Sequence, residues 1–536
     1  MKERTFPVKT PNAQRQRIEI YDTTLRDGSQ GEGISYSVED KIRIARRLDE
    51  FGMDYIEGGW PGSNPKDEEF FERMKTVKLR HARLAAFGST RRADIRAEDD
   101  SQVQKLLAAA TPVVTIVGKS WDIHVTVALK TTLEENVRMI ADTVLYLKQQ
   151  GKTVIFDPEH FFDGYKHNPD YTLQCLRAAA TAGADCIALC DTNGGTLPHE
   201  VIEIVRTVRG LFPETPLGIH THNDAQCAVA NALAAVREGA IQVQGTVNGY
   251  GERCGNCDLI PVIAALRLKL DYDCLLPDSV EHLTGLSQYV DEVANLTPDT
   301  RRPYVGKSAF AHKGGLHTDA VLKGASYEHI KPSLVGNVRR ILVSELAGGS
   351  SIASKASQYG FALDRKSPEA RALLKLITER EHSGYSYEGA EGSFELLMKQ
   401  SVGTYRRLFE LKGFRCIVEK RGEDEETVTE ATVKIVVDGH ERLTVAEGDG
   451  PIHALDGALR KALAEFYPEL AQIKLTDFKV RVVNTQEGTA AKVRVIIDSA
   501  DGEQSWSTIG VSTNVIEASW LALLDGVVYG LLRCEQ

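Results

Sequence analysis

His220-Thr221-His222-Asn223-Asp224 sets two imidazoles one residue apart, directly after an apolar run, Leu217-Gly218-Ile219, that reads as a buried strand. Side chains alternate along a strand, so His220 and His222 point the same way. Two imidazoles on one face at a strand end are half of a metal site, because imidazole suits Zn, Fe, Co and Mn alike. The plainer reading of an isolated HxH is a hydrogen-bonded pair of core histidines. Its neighbours weigh against that here. Polar residues gather after other predicted strand ends: Arg26 and Asp27, Glu57, Ser89, Lys119, Glu159 and His160, Asp191 and Thr192, Arg253 and Asn256.

Eight short runs supply those strand ends: Ile18–Asp22, Asp54–Gly58, Arg83–Gly88, Val113–Gly118, Thr153–Asp157, Asp185–Cys190, Leu217–His222 and Gln242–Val247. Each is aliphatic or β-branched and bounded by Gly, Asp, Asn or Pro. Amphipathic helical patterns separate them, such as Ser37–Phe51 and Leu133–Gln150, and Asp224 to Glu238 reads as another helix. Ser37 with Asp40 resembles a capping box, and Gly52 stands where a helix C-cap is expected. Eight strand–helix units over about 250 residues predict an α/β fold, a closed TIM (β/α)8 barrel. An open doubly wound sheet is the alternative, although no GxGxxG follows the first strand.

Closure of the barrel puts strand 8 between strands 7 and 1. Asp27 follows strand 1, His220 and His222 end strand 7, and Asn256 follows strand 8, so these four converge. A carboxylate, two imidazoles and an amide oxygen leave positions open for substrate oxygens, as a catalytic metal needs. The set lacks thiolate, so Mn, Mg, Co and Zn all stay open.

A chain of 536 residues should hold more than one domain. Its 42% hydrophobic and 26% charged residues describe a soluble globular protein. A net charge of −11 argues against nucleic acid or an anionic membrane as partner. The apolar runs read as too short to span a bilayer, and no signal peptide is visible. Nine scattered cysteines suggest a reducing, cytoplasmic setting, and Cys254-Gly255-Asn256-Cys257 has no second CxxC to complete a zinc ribbon.

Three parts are expected: a barrel over 1–274, a linker subdomain over 275–400, and a C-terminal domain over 401–536. Pro277, Pro298, Pro303 and Pro332 punctuate the second, around a helical pattern at Val280–Ala294. The third is a repeat, with alternating strands at Ala431–Asp438 and Ala491–Asp498, sixty residues apart. Each is followed by a polar hairpin, another strand and a helix, at Ile452–Phe466 and Ile516–Leu531. Two βββα units make a small α+β domain.

Three segments resemble the signatures of the DRE-TIM metallolyase superfamily: Asp22-Thr23-Thr24-Leu25-Arg26-Asp27-Gly28-Ser29-Gln30, the His220–Asp224 pentapeptide, and Gly249-Tyr250-Gly251-Glu252-Arg253-Cys254-Gly255-Asn256. Within it the chain resembles the 2-isopropylmalate, homocitrate and citramalate synthases. The contexts Tyr55–Pro65 and Phe87–Arg92 look most like the citramalate branch. Cys254 departs from the small residue usual in the synthases, which puts a thiol beside Asn256.

The resemblance implies a Claisen-type condensation of acetyl-CoA, as co-substrate, with a 2-oxo acid, here pyruvate, in isoleucine synthesis. It implies a divalent metal on Asp27, His220, His222 and Asn256. Arg26 would bind substrate and stabilise the enolate or alkoxide; a salt bridge to Glu57 or Asp27 is its plainer reading. Thr192 would bind the oxo-acid carboxylate. Glu159 would serve in acid/base work, or else merely pair with a barrel-mouth arginine. Asp157 would shape the pocket or bond a neighbouring strand. His317 with Tyr327 would assist methyl deprotonation, with His312 as competitor. The C-terminal domain resembles a regulatory domain that binds a branched-chain amino acid in a homodimer; a purely structural dimerisation module is the plainer reading. A sibling synthase, a metal-dependent acyl-CoA lyase and a non-catalytic amino-acid sensor are the competing functions.

Overall fold

The computed structural model describes residues 15–312, 327–342, 367–387, 390–420, 422, 426–483, 488, 490–502 and 504–534. Eight parallel strands close a barrel in sequential order: β1 Glu19–Asp22, β2 Tyr55–Glu57, β3 Arg83–Ser89, β4 Val113–Lys119, β5 Thr153–Glu159, β6 Cys186–Asp191, β7 Leu217–Thr221 and β8 Gln242–Gly245. β8 lies between β7 and β1, with Gln244 opposite His220 on one side and Tyr21 on the other. Alternation along each strand separates two cores. Ile18, Ile20 and Ile56 pack outward with the surrounding helices, while Tyr21, Tyr55, Ala85, Val113, Ile155, Cys186 and Ala188 form a second cluster inside.

Local signals decide where the helices begin and end. Ser37 and Asp40 make the reciprocal capping box of helix Val38–Phe51. Gly52 then turns left-handed at φ 94°, and a Cβ there would stand 2.7 Å from the Leu276 side chain. No other residue type fits both constraints. The helix after β7 differs from its expected start: it runs Ala228–Arg237, because Asn223 and Gly194 carbonyls hold Gln226 and Ala225 in a turn, with Gln226 at φ 57°.

Two compact units divide the chain. One runs through Phe310 and takes in Ile330–Arg339; the other holds Ala311–His329 and everything from Arg340 onward. This places helix Leu283–Val293 in the barrel unit, with Leu283, Leu286 and Val290 in the barrel's outer core. Sequence alone assigned it to a linker.

The second unit holds a two-residue pair, β9 Ala311–His312 and β10 Arg340–Ile341, and two antiparallel sheets. β11 Glu410–Glu419, β12 Val428–Val437 and β13 His440–Gly448 precede helix Pro451–Leu463. β14 Lys474–Val482, β15 Val493–Ala500 and β16 Ser505–Ser512 precede helix Val515–Cys534. Helices Pro368–His382 and Glu391–Ser401 add a smaller core, in which Leu373, Ile377, Phe394 and Leu397 join Ile509 of β16. Helix Val515–Cys534 is long and apolar enough, by length and composition, to cross a membrane, so the expectation that every apolar run is too short does not hold for it. It is 61% buried inside the protein, and Trp520, Leu523, Val527 and Leu531 spend that apolar surface in the sheet core.

That helix also carries Asp525, which accepts a 2.6 Å hydrogen bond from Ser393. Burial pushes its carboxyl up to about 6, against the pull of Ser393 and Arg380. The folded chain then keeps a proton that the unfolded chain releases nearer its ordinary value. Stability from this group is full below about pH 4 and lost as pH rises through about 6. Asp525→Asn should therefore gain about 1–3 kcal/mol on the wild type between about pH 4.5 and about pH 7.5. Denaturant melts of both proteins at the two pH values check it; a constant difference would mean that Asp525 titrates normally.

Candidate active site

Both histidines end up buried. His220 is the penultimate residue of β7 and His222 lies just past it. Their Nε2 atoms stand 3.4 Å apart, and Asp27 Oδ2 is 3.4 Å from the first and 4.0 Å from the second. The three residues offer ligand atoms all within 4.8 Å of one another.

Asp27 arrives by a route that strand alternation does not describe. β1 ends at Asp22, and the chain turns over Thr23, whose carbonyl accepts from the N–H groups of Arg26 and Gly28. The turn therefore keeps Arg26 beside Asp27. Its guanidinium lies 3.3 Å from the Asp27 carboxylate, donates to Glu57 at 2.5 Å, and stacks 3.8 Å from the centre of the Phe87 ring. Both ion pairs weighed from sequence exist, with both carboxylates buried and Arg26 mostly so. Glu57, fully buried, also accepts from Tyr21 at 2.5 Å and Thr23 at 2.6 Å.

Asn256 joins from the loop after β8 through an isolated bridge to His222. Its amide Nδ2 donates to the Tyr250 carbonyl at 3.1 Å, while Oδ1 is buried with no hydrogen-bond partner. Such an orphaned oxygen is costly unless something cationic faces it.

His220 is set by a residue that the sequence reading passed over. Its Nδ1 lies 2.9 Å from Gln244 Oε1, and Gln244 Nε2 donates to Asp157 at 3.1 Å across the barrel interior. A carbonyl oxygen only accepts, so Nδ1 carries a proton and Nε2 is the nitrogen turned toward Asp27. Glutamines at 242 and 244, alternating with Val243 in a buried strand, were the available signal. Asp157 thus bonds another strand, though not an adjacent one, and burial pushes its carboxyl up to about 7.

The electrostatics agree with a ligand set. Burial and then the neighbouring His220 push His222 down to about 4, so it is neutral near pH 7. Burial works against the Asp27 anion, but Arg26 and the two imidazoles hold its carboxyl well below the usual range. Burial also works against a proton on His220, and Asp27 outweighs it, raising that imidazole. An anion that draws a proton between itself and an imidazole, beside an orphaned amide oxygen, fits a divalent cation in the proton's place.

Glu159 lies within β5, not beyond it, and pairs with Lys119, its register partner on β4, rather than with an arginine. Both are about one-quarter exposed at the mouth. The Thr192 hydroxyl accepts from the His160 N–H at 2.8 Å and keeps its own proton to donate, while its carbonyl accepts from Arg253 at 2.7 Å. Asp191 points into its own loop, where both carboxylate oxygens bind Thr196. Cys254 is exposed and Cys257 buried, and neither is in a disulfide. His317 falls outside the described residues. Tyr327, 54% exposed, belongs to the second unit, where His312 lies 3.0 Å from Glu328.

Known proteins resemble the chain along nearly its whole length. The HMGL-like profile matches residues 17–289, a homocitrate synthase post-HMGL domain-like profile 304–380, and a LeuA allosteric (dimerisation) domain profile 388–531. An (R)-citramalate synthase of Aquifex aeolicus is 55% identical over 97% of this chain and 99% of its own. Relatives of the same description from Geobacter sulfurreducens and Synechocystis are 54% and 52% identical, over 97% and 96% of this chain and 98% and 96% of their own. The chain belongs to the (R)-citramalate synthase family. Family membership gives the barrel a divalent-metal chemistry and leaves the ion's identity open.

Gln244→Leu removes the acceptor that fixes the His220 tautomer. Loss of such a supporting contact lowers metal affinity by about 10–100-fold. Titration of the metal-free protein with Co²⁺ checks it, and unchanged affinity would leave Gln244 as filler of the barrel interior.

Proposed function

We propose that the chain condenses acetyl-CoA with pyruvate and water to give (R)-citramalate and CoA. Near-full-length identity of 55% to an (R)-citramalate synthase carries this reading, and the buried Asp27–His220–His222 set beside Arg26 supports it. A Mn, Mg, Co or Zn ion on Asp27, His220, His222 and Asn256 would supply Lewis-acid polarisation of the oxo group.

The remaining steps fall to this chain's own side chains. Thr192 donates to the oxo-acid carboxylate and orients C2 toward the incoming methyl carbon. Arg26 faces the oxygen on which charge builds, first in the enolate of acetyl-CoA and then in the alkoxide. Fixed between Glu57 and Phe87, it needs no reorganisation as that charge appears. His317, with Tyr327, takes the methyl proton; the carbanion carbon bonds to C2 of pyruvate, and the alkoxide is protonated. Glu159, with Lys119 against it, serves acid/base work at the mouth, and water cleaves the thioester to release the CoA thiol. The matched allosteric (dimerisation) domain supports a homodimer under regulation. We take the effector to be a branched-chain amino acid, isoleucine or leucine, and the enzyme to be cytoplasmic and to feed isoleucine synthesis.

Specificity tests the substrate. Release of CoA with pyruvate, 2-oxobutyrate, 2-oxoisovalerate and 2-oxoglutarate should give the highest kcat/KM for pyruvate. Each excess methylene should cost about 1–3 kcal/mol, tenfold or more. A preference for 2-oxoisovalerate or 2-oxoglutarate would move the chain to a sibling synthase activity.

Arg26→Lys tests the transition-state role. A lysine cannot reproduce a planar fork that meets Glu57, Asp27 and the Phe87 face together. The variant should bind metal normally and lose about 2–4 kcal/mol of transition-state stabilisation, read as a fall in kcat. Near-wild-type turnover would reduce Arg26 to a structural ion pair.

A further inference from the structure

The loop that brings Asn256 to the histidines is built to have little preference of its own. Gly249 sits at φ 70°, Gly251 at φ 146° and Gly255 at φ 84°, conformations that only glycine adopts cheaply. At Gly251 and Gly255 there is also no room for a side chain. A Cβ on Gly251 would stand 2.2 Å from Asn256 Nδ2, and one on Gly255 would stand 1.9 Å from the Gly249 carbonyl. Close approach brings Asn256 into place, and the freedom that allows it must be removed by contacts from outside the loop.

Those contacts come from a helix beyond the barrel strands and reach Asn256 through Tyr250. The Tyr250 carbonyl accepts from both the backbone N–H and the side-chain Nδ2 of Asn256, which turns Oδ1 the other way. The Tyr250 hydroxyl donates to Asp291, 1% exposed on helix Leu283–Val293. Asp291 also accepts from Asn248 at 2.9 Å and pairs with Arg302 at 2.7 Å. Ser287, one turn earlier, donates to Asn248 at 2.7 Å and accepts from Arg302 at 3.1 Å. The Tyr250 carbonyl also accepts from the Thr246 hydroxyl at 2.8 Å, so one polar end of Tyr250 is shared between Thr246 and the amide and the other is committed to the buried node.

We propose that Tyr250 and Asp291 are positioning residues for Asn256, fixing its amide so that Oδ1 faces Asp27 and the two histidines. This rests on the reading of Asn256 as a metal ligand. Asp291 acts from outside the strands through one side chain, which gives the helix after the barrel a part in the site.

The test uses full-length metal-free protein titrated with Co²⁺, with calorimetric affinity and the visible Co²⁺ absorption as readouts. Tyr250→Phe and Asp291→Asn should each weaken binding by about tenfold or more and shift the absorption, since the amide oxygen moves. Tyr36→Phe removes another buried hydroxyl, one without a hydrogen-bond partner, and should change neither. Tyr250→Phe added to Asn256→Ala should cost nothing beyond Asn256→Ala alone, because the tyrosine acts through the amide. Wild-type affinity and spectrum in Tyr250→Phe, an equal loss in Tyr36→Phe, or full additivity in the double variant would each overturn the proposal. Should Asp291→Asn fail to fold, Tyr250→Phe decides. Wild-type Co²⁺ binding in Asn256→Ala or in Asp27→Ala would instead overturn the underlying ligand reading.

Discussion

Two carboxylates, Asp27 and Glu57, are buried at the barrel mouth with one guanidinium between them, and the rest of the site is arranged around that shortfall of positive charge. Taking ions out of water costs several kcal/mol each, which good geometry repays only when every lone pair is met. Glu57 meets this requirement with Tyr21, Thr23 and Arg26. Asp27 does not: beyond Arg26 it faces two imidazole nitrogens and no other donor side chain is within reach among the described residues. Two anions against one cation leave one negative charge. A divalent ion there would reverse the sign to suit a monoanionic oxo acid. Burial pushes both Asp22 and Asp157 up to about 7, so neither adds a full charge beneath the site.

The loops over this charge are held in costly backbone conformations. His160, Asn248 and Arg253 all have φ between 56° and 67° without being glycine. Such residues persist only where the surroundings over-determine them, and these do. His160 donates to Thr192, Asn248 binds Asp291 and Ser287, and Arg253 grips Asp224 and the Thr192 carbonyl. The same bonds that stabilise the strained residues hold the loops of Thr192 and Asn256 over Asp27 and the two histidines. Strain and positioning are one arrangement here.

What was legible in the sequence follows from range. All eight barrel strands were visible, because a parallel strand buried on both faces is a short apolar run between turn residues. β5 runs two residues past its expected end, since Pro158 and Glu159 stay in register with Gly118 and Lys119 despite their polarity. Asp27, His220, His222 and Asn256 were legible because closure alone brings their strands together. The ion-pair partners of Arg26 were legible too, but the tight turn that carries it beside Asp27 was not. Gln244 and Asp291 were missed. Each acts on a partner 24 or 41 residues away through one side chain, which no local period records.

The second unit shows the same economy in a different form. In both sheets the closing helix lies chiefly over the last two strands, Pro451–Leu463 over β12 and β13, Val515–Cys534 over β15 and β16. The first strand of each sheet is left with apolar residues on the face its neighbours bury. Val480 pairs with fully buried Val495 and Phe478 with fully buried Ile497, yet both are more than one-third exposed; Val418, opposite buried Thr429, is 51% exposed. A monomer rarely leaves such rows in water. Each sheet thus packs its own helix and leaves an apolar strip open along its first strand. A domain matched as allosteric and dimerising is suited to this, since a strip covered only on association makes the packing of the sheets depend on the partner's position.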